Sequence, residues 1–392
     1  MFQRESLAEV QIALISNFLP GPGSGGAERY AAMLADTLAQ GGHEVTFYTG
    51  SDGDIPGVKC QRLPCMPELD PIAHRLRKAT WHVQEQWLPT VHRALARALK
   101  ANPPDVVHSH EPQMLSAAVF SAIASAHLPH VHTTHDFNLL CARVTMTKAG
   151  RPCGGSCLEC RLQRTIRVGA LQRRLDLLLA PSDFVRDRHL EHGVVSPQRA
   201  MTIRHGAAPG KRRLRRPVTG HLRVGFLGAL SDHKGVPTLL RAAAAMPVGW
   251  SLAIAGAGPL ADEVRAACAN DRRIAFAGEL DAAERDAFLD QLDVIVIPSE
   301  WEEPATLVAV EAAVRGLPAV VSNRGGLPET PQAKVFAAGD SQALLAALSE
   351  LDRVPSILTS CSEALLNSSA AYMWSTHVKA VEAALGRAAT RT

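Results

Sequence analysis

Short apolar runs rich in Val, Ile, Leu and Ala alternate along the whole chain with segments whose apolar residues recur at helical spacing. That alternation is the mark of βα units built around parallel sheets. A first series of strands is expected at QIALIS (from Gln11), EVTFYT (from Glu44), DVVHSH (from Asp105), HVHTTH (from His130), LDLLLAP (from Leu175) and MTIRHG (from Met201). A second begins at HLRVGFLG (from His221) and runs through SLAIAG, RIAFAG, VIVIPS, AVVSN and KVFAAG, with helical stretches such as TLLRAAAAM and PLADEVRAACA between strands. After the last strand come SQALLAALSEL and AYMWSTHVKAVEAALGRA, both of helical period.

The pattern predicts an α/β protein of two Rossmann-like domains whose parallel sheets face each other across an interdomain cleft. The first domain is expected over 1–206, a linker over 207–220, the second domain over 221–372, and a terminal helix over 373–392 that packs back on the first domain. In open sheets of this kind ligands bind beyond the carboxyl ends of the strands, so the cleft is where chemistry is expected.

Composition sharpens this reading. The chain has 392 residues, more than one core usually organises, and two domains of similar size fit it. No apolar run approaches the roughly 18 to 20 residues that span a bilayer, and the polar start MFQRESLAEV lacks a signal-peptide core, which points to a cytoplasmic protein. A net charge of +3 gives no case for a nucleic-acid partner. The basic cluster Lys211, Arg212, Arg213, Arg215 and Arg216 reads as a solvated interdomain linker. The segment from His74 to Lys100, with Arg75, Arg77, Lys78, Trp81, Trp87 and Arg93, reads as an amphipathic helix of the first domain; peripheral contact with the inner membrane face is its alternative reading.

Two loops carry candidate chemistry. The first strand runs into Pro20-Gly21-Pro22-Gly23-Ser24-Gly25-Gly26, where a helix start near Ala27 would offer free N–H groups to an anion; a tight structural turn reads equally well. The second loop, Pro298 to Ala312, contains Glu303 and Glu311 in a Glu-x7-Glu pair. With Pro304 as the first helical residue, the two carboxylates would stand about 12 Å apart at 1.5 Å per residue. A diphosphate would then fit the free N–H groups near Thr306 and Leu307, with Glu303 toward sugar hydroxyls and Glu311 toward a ribose. On spacing alone, dipole compensation and a solvated glutamate explain the pair as well.

The run from Glu303 through Gly316-Leu317-Pro318 to Gly325-Gly326-Leu327-Pro328-Glu329 resembles the donor-site signature of glycosyltransferase family 4, retaining enzymes of the GT-B fold. Gly228-Ala229-Leu230 with Lys234-Gly235, Gly256-Ala257-Gly258-Pro259, the Gly23–Gly26 loop, Gly42-His43-Glu44-Val45 and Thr134-His135-Asp136 are similar to family elements in the same order. The resemblance implies a retaining transfer of a hexose-type sugar from a nucleotide-sugar donor, a UDP-sugar ahead of a GDP-sugar, to an unidentified acceptor such as a glycan, a lipid-linked sugar or a small metabolite. No catalytic cofactor is implied.

The same resemblance implies residue roles. Lys234 would neutralise the leaving diphosphate, Glu303 and His135 would position the sugar, and Gly25, Gly26, Thr306, Leu307 and Glu311 would line the donor. Gly256 and Gly258 would leave room for the nucleotide, and residues near Glu279 and Leu280 would flank its base. Two positions depart from the family pattern: Ala229 stands where many relatives have an arginine on the diphosphate, and Ala305-Thr306 replaces the common helix-tip pair. Arg324 is a candidate replacement for the missing charge. Sugar-nucleotide epimerisation or hydrolysis on the same fold is the alternative reaction.

Cys141, Cys153, Cys157 and Cys160 form a Cys-x11-Cys-x3-Cys-x2-Cys series in a glycine-rich insertion at 141–160. The spacing fits a structural zinc ion, free thiols or a disulfide. The last three cysteines also fit the cluster-binding spacing of radical S-adenosylmethionine enzymes, but their position deep in a two-domain series speaks against that chemistry.

Overall fold

The computed structural model describes residues 9–21, 25–67, 75–148, 151–153, 157–215 and 218–390. In the first domain the strands are β1 (Gln11–Ile15), β2 (Glu44–Thr49), β3 (Lys59–Arg62), β4 (Val106–Ser109) and β5 (His130–Thr133), a small hairpin β6 (Thr147–Lys148) and β7 (Arg151–Pro152), then β8 (Leu175–Ala180) and β9 (Ala200–Thr202). Its helices are α1 (Gly26–Gln40), α2 (Arg75–Gln86), α3 (Pro89–Ala101), α4 (Ala118–Ala126), α5 (Leu158–Gln172) and α6 (Asp183–Glu191). The second domain has β10 (Arg223–Leu227), β11 (Ser251–Ala255), β12 (Ile274–Gly278), β13 (Val294–Ile297), β14 (Ala319–Ser322) and β15 (Lys334–Phe336), with α7 (Val236–Ala244), α8 (Ala261–Asn270), α9 (Ala282–Gln291) and α10 (Leu307–Val314). The helices α11 (Ser341–Arg353), α12 (Pro355–Ser368) and α13 (Trp374–Ala389) complete the chain.

Both main sheets are parallel, ordered β3-β2-β1-β4-β5-β8-β9 and β12-β11-β10-β13-β14-β15. In each, strand order reverses between the first strand and its neighbour, β1 beside β4 and β10 beside β13. A crevice opens at such a switch point beyond the carboxyl ends of the strands. Central strands such as VIVI of β13 and AVVS of β14 are buried throughout, because helices cover both faces.

The expected strands all appear in these sheets, and β3 and the hairpin add to them. The expected helix over His74–Lys100 is instead two helices, α2 and α3, broken at Trp87–Leu88 because Pro89 cannot donate to the preceding turn. The basic stretch is solvated only in part: Lys211, Arg212 and Arg213 are exposed, but Arg215 is not. Arg215 is 1% exposed and donates to the carbonyls of Asp290 (2.8 Å) and Leu289 (3.4 Å), while Arg212 donates to Leu366 O (2.6 Å). Orphan carbonyls at the ends of α9 and α12 attract these guanidinium groups, which fasten the crossover to the second domain. Arg216 lies outside the described residues.

Helix α13 returns to the first domain, where Val378, Val381, Ala384 and Leu385 join the core beneath β1 and α1. Ala207 and Met373 form a parallel bridge at the two chain crossings.

Candidate donor and acceptor site

On the second domain, β10 leads through Gly228 and Ala229 into a short 3₁₀ turn, Asp232–Lys234, and β13 leads into Pro298–Thr306. The two loops flank the switch point and meet in one ion pair. Lys234 Nζ donates to both carboxylate oxygens of Glu303, at 2.9 and 2.8 Å. Ser299 Oγ and Trp301 Nε1 each donate to Glu303 Oε2 at 2.8 Å, and the lysine ammonium lies 5.1 Å from the Trp301 ring centre. Glu303 is only 3% exposed, so these donors replace the water that burial removes.

The loop stays extended past Glu303. Helix α10 begins at Leu307 with Thr306 as its N-cap, so Pro304 is not the first helical residue and the helical spacing assumed between Glu303 and Glu311 does not apply. Close approach of another loop explains this: Gly326 N donates to Glu303 O (2.7 Å) and Gly325 N to Glu302 Oε2 (2.9 Å), bonds that an early helix would forfeit. Thr306 makes no side-chain cap at the positive end of α10, and it lines the cleft with Ala305.

Glu311 sits on α10 with Arg285 Nε and Nη2 both donating to its Oε2, at 2.9 and 2.6 Å. Burial pushes the Glu311 carboxyl above its ordinary range, and Arg285 pulls it back. Gly256 and Gly258 are required by the backbone itself, whatever room they leave for a ligand. A β-carbon on Gly256 would lie 1.9 Å from Gly228 O, and one on Gly258 2.5 Å from Leu230 O, both at positive φ. These glycines let the β10 and β11 loops stack.

Across the cleft, α1 starts at Gly26 with Gly25 as an N-cap that has no side-chain bond. A β-carbon on Gly26 would lie 3.6 Å from Leu307 Cδ1, so the starts of α1 and α10 face each other. Pro22, Gly23 and Ser24 of the glycine loop lie outside the described residues. His135, after β5, shares a hydrogen bond with His110 (3.0 Å), stacks 5.9 Å from His205, and accepts the edge of Tyr30 at 4.9 Å. Burial, then neighbouring His205, holds its imidazole neutral, well below the usual histidine range. Its backbone N–H donates to Glu111 Oε1 at 3.0 Å. Burial raises the Glu111 and Asp136 carboxyls, that of Asp136 to about 6.

A latch joins the domains beside this site. Glu329 Oε2 and Oε1 accept from the N–H groups of Asp183 and Phe184, both at 2.7 Å, at the start of α6. Ser182 Oγ donates to Pro304 O at 2.6 Å. His205, Ala305, Thr306 and Glu329 line an open cleft at the same place. Sequence reasoning gave Glu329 no role, and nothing in the sequence around Arg285, which lies on a different helix, marks it as a partner of Glu311. Ala229 is exposed, and Arg324 is directed at Glu302, 3.9 Å away.

Cys141, Cys157 and Cys160 lie together in one packed cluster. Among the described residues no three His, Cys, Asp or Glu side chains form a group that could hold a metal ion. Cys157 instead caps α5, accepting from Cys160 N at 3.4 Å, while the buried Cys160 and Cys141 sulfurs accept from the N–H groups of Ala142 and Arg143. Among the described residues no helix is long and apolar enough to cross a membrane.

The family model described as Glycosyltransferase Family 4 matches residues 24–210, and that described as Glycosyl transferases group 1 matches residues 221–353. The chain is 24% identical to an uncharacterized 42.6 kDa protein in the cps region of Klebsiella pneumoniae, over 78% of this chain and 83% of that one. It is 34% identical to a glycogen synthase of Mycobacterium tuberculosis, over 58% of this chain and 54% of the synthase. Among solved structures, Anabaena HepE in complex with UDP-glucose superposes with a TM-score of 0.72 at 16% identity, covering 97% of this chain and all of HepE. At that identity the likeness carries the GT-B fold.

Proposed function

The chain belongs to glycosyltransferase family 4, and on that premise we propose that it moves a hexose-type sugar from a nucleotide sugar, a UDP-sugar first, onto an acceptor hydroxyl with retention of anomeric configuration. The observation that carries this reading is the convergence of Lys234, bound to Glu303, with two helix starts that lack side-chain caps and face each other across the cleft. Two helix starts, with a Lys234 ammonium that can turn from Glu303 to an incoming anion, suit a diphosphate.

In the reaction, the bond from the anomeric carbon to the diphosphate oxygen breaks and its electron pair leaves with the diphosphate. The acceptor oxygen attacks the same face, and its proton passes to the departing phosphate. Lys234 and the first N–H groups of α10 stabilise the charge that grows on that leaving group. Glu303 accepts hydrogen bonds from the sugar, and Glu311, held by Arg285, accepts the ribose hydroxyls. His135, kept neutral, positions the sugar without serving as a cation.

That HepE was solved with UDP-glucose supports a UDP-sugar as the first donor to try. A thermal-shift screen against UDP-, GDP-, ADP- and dTDP-sugars tests it, since a ligand that binds only the folded form raises its apparent stability. One nucleotide series should raise the melting temperature, and no shift with any of them opposes the donor-site reading. Product analysis without acceptor separates transfer from hydrolysis or epimerisation.

A further inference from the structure

Helix α5 turns an apolar stripe outward. Leu158, Leu162 and Ile166, at i, i+4 and i+8, are 81%, 63% and 41% exposed. On α2, the helix packed beside it, Val83 is 68% exposed, and Trp87, just past its end, is 46% exposed. Isolated apolar residues on a surface need no explanation, but half of the large exposed hydrophobics among the described residues fall on these two helices or directly after α2. A helix facing water alone would place polar residues at these positions.

The charge around the stripe selects its occupant. Helix α5 carries the exposed Arg161 at the margin of the outward face and is followed by the exposed Arg173, against Glu159 as its one acid, while Arg164 turns to the packed side and donates to His192 Nδ1 at 3.0 Å. The remaining arginine, Arg167, is buried and spoken for: it pairs with Glu85 of α2 at 2.7 Å and donates to Gln86 Oε1 at 3.1 Å. The helix pair is therefore fixed from beneath by one buried ion pair, and its outer side is apolar with a basic margin. Apolar residues in a row with arginines beside them match the boundary of an anionic bilayer, where side chains enter the acyl region and guanidinium groups meet phosphates.

We propose that the outer face of α5, with the exposed edge formed by Val83 and Trp87, docks on an anionic lipid bilayer. Arg167 Nη1 also donates to Asn138 O at 2.6 Å, so the docking helix directly supports the loop that carries His135 and Asp136. Docking then sets that loop at the lipid surface, where an acceptor carried by a lipid is in reach; this last consequence rests on the transfer reading, whereas docking does not.

Vesicle flotation with the full chain tests the proposal. The protein floats with vesicles containing about one-third phosphatidylglycerol at low salt, floats poorly with pure phosphatidylcholine, and is released by high salt. The triple variant Leu158→Asp, Leu162→Asp, Ile166→Asp lowers the bound fraction about tenfold with an unchanged unfolding midpoint, as does Arg161→Glu with Arg173→Glu to a smaller degree. Equal flotation of wild type and triple variant overturns the proposal, as does absence of wild-type binding to anionic vesicles. Self-association of the wild type without lipid, lost in the triple variant, overturns it in favour of a second copy of the chain on this face. Because flotation needs no nucleotide sugar, a failed donor screen leaves its outcome unaffected.

Discussion

Lys234 and Glu303 come from loops 69 residues apart in sequence, yet the ammonium bridges both oxygens of a carboxylate that is almost wholly buried. Ser299 and Trp301 complete the shell around the same carboxylate. Removing one member leaves the others desolvated and unmatched. Lys234→Ala and Glu303→Ala are each expected to cost about 1–3 kcal/mol of stability, read from urea unfolding midpoints. Those variants therefore carry a folding cost that Glu-x7-Glu spacing alone gave no reason to expect. Midpoints equal to wild type would show that the pair is solvated instead.

Arg285 holds Glu311 from one side and offsets the burial that raises its pKa. Arg285→Gln is expected to weaken binding of the nucleoside diphosphate about tenfold and to have little effect on the 2′,3′-dideoxy form, because Arg285 acts through Glu311 on the ribose hydroxyls. The sign of the pH effect follows. Loss of the guanidinium lets burial push the carboxyl further up, so binding fails at a higher pH as the solution is acidified. Calorimetric titrations of both ligands across pH check this, and equal weakening for the two ligands contradicts it.

Glu329 caps the start of α6 from the opposite domain. Glu329→Ala removes an acceptor from two N–H groups and a partner from Arg204, 3.2 Å away, and leaves Ser182–Pro304 as the adjoining bond. The cleft is expected to open, with a larger radius of gyration in X-ray scattering and little change in the melting of either domain. A scattering curve identical to wild type would remove Glu329 from the latch.

Seven histidines, His108, His110, His130, His132, His135, His205 and His377, are held below the ordinary range, mainly by burial, with His108, His130 and His205 at about 3 and His377 at about 4. The unfolded chain takes up protons near 6.5 that the folded chain refuses, so stability is full above that pH and falls as pH drops toward 4. Glu111, Asp136 and Glu311, raised mainly by burial, act in the opposite sense, but they are three groups against seven. Each net proton bound by the unfolded state contributes a slope of about 1.4 kcal/mol per pH unit. Unfolding midpoints between pH 7 and 4.5 should fall steeply, and a flat profile contradicts the neutral histidine cluster.

The strands were legible because parallel sheets bury both faces and write continuous apolar runs such as VIVIPS, and the helices wrote a period of their own. The family resemblance likewise rested on local runs, from Lys234-Gly235 to Glu329. What could not be read was contact between distant segments. Glu303 on an extended loop, Arg285 against Glu311 and Glu329 against the start of α6 depend on which loops meet, and the solvated reading of the basic stretch failed at Arg215, which donates to carbonyls 74 and 75 residues away. Gly256 and Gly258 stand where they do because backbone meets backbone.

The central claim is that Lys234 and Glu303 serve transfer from a nucleotide sugar bound at the second domain. The most direct measurement is release of nucleoside diphosphate from the donor that stabilises the fold most, supplied with an acceptor panel, for wild type, Lys234→Ala and Glu303→Ala at a temperature where all three remain folded. Steady release by the wild type and a loss of about a hundredfold or more in each variant are expected. Release at the wild-type rate by both variants would contradict it.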